Sequence, residues 1–242
     1  YGLAATGTRV TLLHLMDRLM ERQLDAEAAA MLKVALEARG ISVLLGADTA
    51  AVEGDGCVEA VRLADGKELP CDIVVAAVGI RPNATLAREA GLQVGRGIVV
   101  DDRLATSDPA IHAIGECAEH RGTCYGLVEP AYQQAAVLAR HLAGRSAGYE
   151  GTVLSTNLKV SGVPVFSAGD FLGEPGTESI VWRDPGVASY RKLVLRDGAL
   201  AGAILFGETS DALWYLDLIR AGQPLGALRD LVVFGRSLAE AA

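Results

Sequence analysis

Two places in this 242-residue chain end an apolar run with a glycine and follow it with residues that could do chemistry. The first is Ile73–Val78, which leads into Gly79, Ile80, Arg81 and Pro82. Glycine lets a ligand approach the backbone closely, and proline stiffens the exit. The second is Ile111–Ile114, which delivers Gly115, Glu116 and Cys117. A carboxylate just past a strand accepts hydrogen bonds from a polyol, and its charge strengthens them. A plain strand-ending turn accounts for the first site alone, and a solvated loop acid for Glu116 alone; the weight comes from their spacing. Pro130 suits the first position of a helix, whose free N–H groups from Ala131 onward would face an electron-rich ligand. An ordinary capped helix explains the same residues. His14 ends the run Arg9–Leu13, where a dinucleotide site presents an acid to the ribose hydroxyls. No acid stands there. His14 with nearby Arg18 tolerates a ribose 2′-phosphate, and a half-exposed loop histidine fits equally well.

The elements that must position these residues follow from periodicity. A small-residue helix end over residues 1–7 precedes the strand Arg9–Leu13. Asp25 then caps a helix with the apolar stripe Ala28, Leu32, Ala35 and Leu36. It has Glu27 in its first turn, Arg39 in its last and Gly40 past its end. With the strand Ile41–Leu45 this makes a βαβ unit, the building block of parallel sheets. A meander follows, with strands at Ala50–Glu53, Cys57–Leu63 and Lys67–Leu69 joined by glycine turns. Ile73–Val78 reads as a buried strand, Thr85–Ala90 as a short helix and Ile98–Val100 as a strand. Arg145–Thr156 reads as a linker. Beyond it, Val163–Ser167, Ser179–Trp182, Tyr190–Arg196 and Ala199–Phe206 read as strands, the last pair joined by Asp197-Gly198. A helix capped by Ser210 or Asp211 ends at Gly222, and Trp182, Trp214, Phe166 and Phe206 are expected in its core.

Composition narrows the function. A net charge of −8 argues against nucleic acid as a partner, and no Lys/Arg cluster addresses a membrane surface. No apolar stretch is long enough to span a bilayer. Cys57, Cys71, Cys117 and Cys124 lack metal-ligand or CxxC spacing and read as reduced thiols, which implies a cytoplasmic protein. The Gly-x-Gly-x-x-Gly phosphate loop of a dinucleotide site is absent.

Thr106 through Glu116 resembles the Thr-x6-apolar-Gly-acid segment of FAD-dependent oxidoreductases, and Gly79–Pro82 resembles their crossover between nucleotide domains. Val10–Asp25, with His14-Leu15-Met16 and Leu19 to Asp25, carries a narrower resemblance. So do Ala113 to Ala118, Gly126-Leu127-Val128 and Gly207 to Asp211. These are similar to the large subunits of NAD(P)H-dependent assimilatory nitrite reductases, within the FAD-dependent pyridine nucleotide-disulfide oxidoreductases. The resemblance implies an α/β fold: truncated doubly wound NAD- and FAD-binding domains over residues 1–75 and 76–148. A small α+β interface domain, residues 149–242, follows. It implies FAD and NAD(P)H as cofactors, with Glu116 on the flavin ribityl chain, Gly79–Pro82 passing near both cofactors, and the Pro130 helix facing the flavin pyrimidine edge. It implies an internal fragment, inert alone, that feeds electrons to iron–sulfur and sirohaem centres elsewhere in the full-length protein or a small subunit, for reduction of nitrite to ammonia. A homodimer contact through the last domain is also implied. A stand-alone NAD(P)H reductase of a ferredoxin or rubredoxin, or a non-catalytic dimerisation module, are the rival readings.

Overall fold

The opening strand, capped helix and second strand form as the periodicity demands. The computed structural model of the protein describes residues 2–241; Tyr1 and Ala242 lie outside them. After a single helical turn, α1 (Gly2–Ala5), strand β1 (Val10–His14) pairs in parallel with β2 (Ile41–Leu45) through α2 (Ala26–Glu37). Asp25 is the N-cap of α2, its carboxylate accepting the Ala28 N–H at 3.0 Å. The meander is an antiparallel sheet of β3 (Thr49–Glu53), β4 (Ala60–Leu63) and β5 (Glu68–Pro70).

The next stretch holds α3 (Thr85–Glu89), β6 (Ile98–Val100), β7 (Ala118–His120), β8 (Thr123–Cys124) and α4 (Val128–Leu142). Strands β6 and β7 are parallel, and β8 turns back on β7. Here two expectations are corrected. Ile73–Val78 is not a strand, and Val75 and Val78 are 70% and 94% exposed. Apolar side chains favour burial, but a strand also needs a hydrogen-bonded neighbour, and no described segment pairs with this one. Ile111–Ile114 likewise makes one isolated bridge, Ala105 to His112, rather than a strand. The supposed linker is also tied down. Tyr149 is 3% exposed, and its N–H donates to the Asp102 carbonyl at 2.7 Å.

The C-terminal region is a five-stranded antiparallel sheet in the order β11-β12-β13-β10-β9, from β9 (Ser155–Val160), β10 (Val163–Gly169), β11 (Glu178–Asp184), β12 (Ser189–Arg196) and β13 (Ala199–Phe206). Asp197 and Gly198 both have positive φ, the signature of the tight turn that joins β12 to β13. Helix α5 (Ala212–Ala221) packs on β13 and β10, and a last helical turn, α6 (Arg236–Ala239), follows. Gly202 on β13 admits no side chain, because a Cβ there would lie 2.2 Å from the Asp170 backbone.

The chain divides into two compact units. The first runs through Val75 and resumes at Ser155; the second is Ala76–Leu154. The first has a shared core, in which Leu24, Ala28, Leu32 and Leu36 of the α2 region pack with Val165, Tyr190, Ile204 and Phe206 of the large sheet. Polar bonds join the same parts. Tyr190 donates its hydroxyl to Asp25 at 2.7 Å, and Arg183 pairs through both guanidinium arms with Glu27. Phe166 and Phe206 are core as expected, whereas Trp182 and Trp214 are only half-buried. Trp182 lies under the Arg191 guanidinium, and Trp214 donates its indole N–H to Glu240.

Candidate functional site

The second unit gathers most of the suspected residues around the start of α4. Ile114 is extended, Gly115 turns left-handed at φ +79°, and Gly115–Cys117 forms one 3₁₀ turn. A Cβ on Gly115 would sit 3.7 Å from that of Ala131, so this turn lies against the first turn of α4. Glu116 is exposed, and its carboxylate makes no hydrogen bond or ion pair among the described residues. Gly79 is left-handed at φ +90° with open space beside it. Ile80 packs at Gly126, one residue before the Leu127 N-cap of α4. Arg81 is exposed and Pro82 half-buried.

Pro130 is buried but is not the first helical residue. Helix α4 starts at Val128, so Pro130 occupies the third position, where its missing N–H still costs nothing. The N–H of Ala131 is then the first with an intrahelical acceptor, the Leu127 carbonyl. No side chain caps this end.

Gln134 is a residue the sequence reading passed over. It is fully buried, and its Oε1 accepts the Gly115 N–H at 2.6 Å. The available signal was a polar side chain in the apolar row that continues with Val137 and Leu138, both packed against the core. A second polar cluster anchors the unit. Asp102 accepts from Arg121 at 2.9 and 2.7 Å and bonds His120 Nε2 at 2.8 Å. The Arg121 hydrogen bond, then that of His120, holds the Asp102 carboxyl down at about 2. His120 is 1% exposed and packs tilted on Tyr149, ring centres 4.8 Å apart. Burial pushes the Tyr149 hydroxyl up to about 12.

His14 belongs to the first unit. It ends β1 as expected, and its Nε2 lies 3.1 Å from Glu21, which supplies from the following loop the carboxylate that the strand end lacks. Arg18 is ion-paired to Asp17 at 3.5 Å. No group of His, Cys, Asp and Glu among the described residues could hold a metal ion, and all four cysteines are free.

Residues 2–136 match the pyridine nucleotide-disulphide oxidoreductase family. This chain belongs to that family. Residues 155–223 match the rubredoxin NAD+ reductase C-terminal domain. The chain is 51% identical over 211 residues to a nitrite reductase [NAD(P)H] of Bacillus subtilis, covering 87% of this chain and 26% of that protein. It is 42% identical over 217 residues to the assimilatory nitrate reductase electron transfer subunit of the same organism, covering 89% of this chain and 28% of that protein. Among solved structures, a ferredoxin reductase from Rhodopseudomonas palustris superposes with a TM-score of 0.79 at 27% identity, over 92% of this chain and 61% of that one. The chain thus spans about a quarter of the length of these two curated relatives.

Proposed function

We propose that this chain is the electron-input flavoprotein segment of an NAD(P)H-dependent nitrite reductase. In that reading it serves iron–sulfur and sirohaem centres that lie outside it, in the same polypeptide or a small subunit. The family match over residues 2–136 and the identity to the Bacillus subtilis nitrite reductase support the reading. The observation that carries the site is the free Glu116 carboxylate on the left-handed Gly115 turn, beside the uncapped start of α4.

These residues fit FAD. Glu116 is an unpaired acceptor for ribityl hydroxyls, Gly79 leaves open space for close approach, and the Val128 N–H at the start of α4 is a donor for electron-rich ring atoms. Bound FAD would supply two-electron acceptance from NAD(P)H and one-electron release. The chain's own residues bind and orient: Glu116 holds the polyol, Gly79–Pro82 border the cofactors, and the Pro130–Ala131 turn backs Gly115. His14, with Glu21 beside it, faces the nicotinamide nucleotide's adenosine ribose. We assign residues 1–75 to the NAD(P) domain, 76–148 to the FAD domain and 149–242 to an interface domain with a homodimer contact, and place the protein in the cytoplasm. No helix among the described residues is long and apolar enough to cross a membrane.

The match of residues 155–223 to a rubredoxin reductase domain favours one second reading, a stand-alone reductase of a ferredoxin or rubredoxin. Transfer of electrons to nitrite rather than to such a carrier separates the two. For the flavin site itself, Glu116→Ala in the full-length protein removes a charge-assisted bond worth about 1.5–3 kcal/mol, so FAD affinity falls by about ten- to a hundredfold. An unchanged FAD dissociation constant would refute the assignment.

A further inference from the structure

Gln134 is a polar amide in a place built for an apolar side chain. None of its surface is exposed, while Val137 and Leu138, on the next turn of α4, pack against the core. Burying an amide is costly unless its hydrogen bonds are made. Only one of its two ends is used well. Oε1 accepts the Gly115 N–H at 2.6 Å, whereas Nε2 is buried without a hydrogen bond of good geometry, close enough to the Tyr149 hydroxyl to be felt there. The residue therefore serves through its acceptor. That acceptor grips the first N–H of the 3₁₀ turn Gly115–Cys117, one residue before Glu116, and Gly115 holds a left-handed φ that leaves this peptide free to swing without an anchor.

We propose that Gln134 is a positioning residue: it fixes the Gly115 peptide so that the Glu116 carboxylate is presented, preformed and unpaired, to a polyol hydroxyl of the cofactor. The inference rests on the flavin reading of Glu116. It adds that the affinity of this site is set from inside α4, by a side chain that touches no ligand.

The test is a double-mutant cycle on FAD dissociation in the full-length protein, using Gln134→Met, Glu116→Ala and the pair. Methionine keeps the length and apolar fit of the side chain but cannot accept the Gly115 N–H. The expected result is a dissociation constant about tenfold higher for Gln134→Met alone, an effect that vanishes once Glu116 is alanine. A change within twofold for Gln134→Met, or a full effect that persists in the Glu116→Ala background, would overturn the proposal, the latter leaving Gln134 as a strut of the fold. If Glu116→Ala alone changes nothing, the flavin reading of Glu116 fails first and the two failures are told apart. Should Gln134→Met not fold, amide hydrogen exchange at Gly115 in the unaltered protein decides. The proposal requires strong protection there, and free exchange would end it.

Discussion

Asp25 ties helix α2 to the C-terminal sheet, and its removal should unsettle both at once. One carboxylate oxygen caps α2 at Ala28; the other accepts the Tyr190 hydroxyl at 2.7 Å and lies 3.6 Å from Lys192 Nζ. Loss of an N-cap costs about 1 kcal/mol. Tyr190 is 2% exposed, so its hydroxyl would be left buried without an acceptor, at about 1–3 kcal/mol. Asp25→Ala should therefore destabilise the first unit by about 2–4 kcal/mol. Tyr190→Phe, which leaves the carboxylate its other partners, should cost about 1 kcal/mol. The assay is urea unfolding followed by tryptophan fluorescence, because both tryptophans, Trp182 and Trp214, lie in the C-terminal region while Asp25 starts α2. A fluorescence midpoint that Asp25→Ala leaves in place would refute the reasoning. It would mean that the C-terminal sheet unfolds independently of the helix that shares its core.

Three further outcomes follow from the same structure. The depressed Asp102 carboxyl contributes stability above the ordinary carboxylate value, and that contribution is lost as pH falls through about 2, so carbon-detected NMR should find its midpoint near there; a midpoint near 4 would show that the Arg121 and His120 bonds are absent in solution. Gly202→Ala forces a Cβ into the Asp170 backbone and should cost about 1–3 kcal/mol in thermal unfolding; a neutral result would mean that β13 and the 170 region are not packed as described. At roughly tens of micromolar, where weak interfaces are populated, sedimentation should show partial dimerisation through the 149–242 region, and a strict monomer would remove that proposal.

Sequence periodicity carried the βαβ opening, the meander and the C-terminal hairpin, because capping, turn glycines and alternating burial are local properties. Asp25, Asp197-Gly198 and Gly222 each act through neighbours a few residues away. The run Ile73–Val78 misled for the opposite reason: apolarity is written in the run itself, but a strand needs hydrogen bonds to another segment, and none of the described ones provides them. Strand β9 was not read as a strand: Ser155 and Thr156 at its start fell in the expected linker, and the segment gains its identity from pairing with β10. At the site, Glu116 and Gly115 stood out by type and spacing. Gln134 did not, because its meaning lies in a bond across 19 positions to Gly115. The shared core of α2 and the C-terminal sheet was equally out of reach, as it joins residues far apart in the chain.

The most direct test of the central claim is anaerobic mixing of the full-length protein with NADH or NADPH while the flavin absorbance is followed, in the absence of nitrite. The expected result is a stoichiometric bound flavin that bleaches in a single turnover, with the flavin content and the bleaching reduced together in Glu116→Ala. A full-length protein that holds no flavin, or whose flavin stays oxidised with either nucleotide, would contradict it.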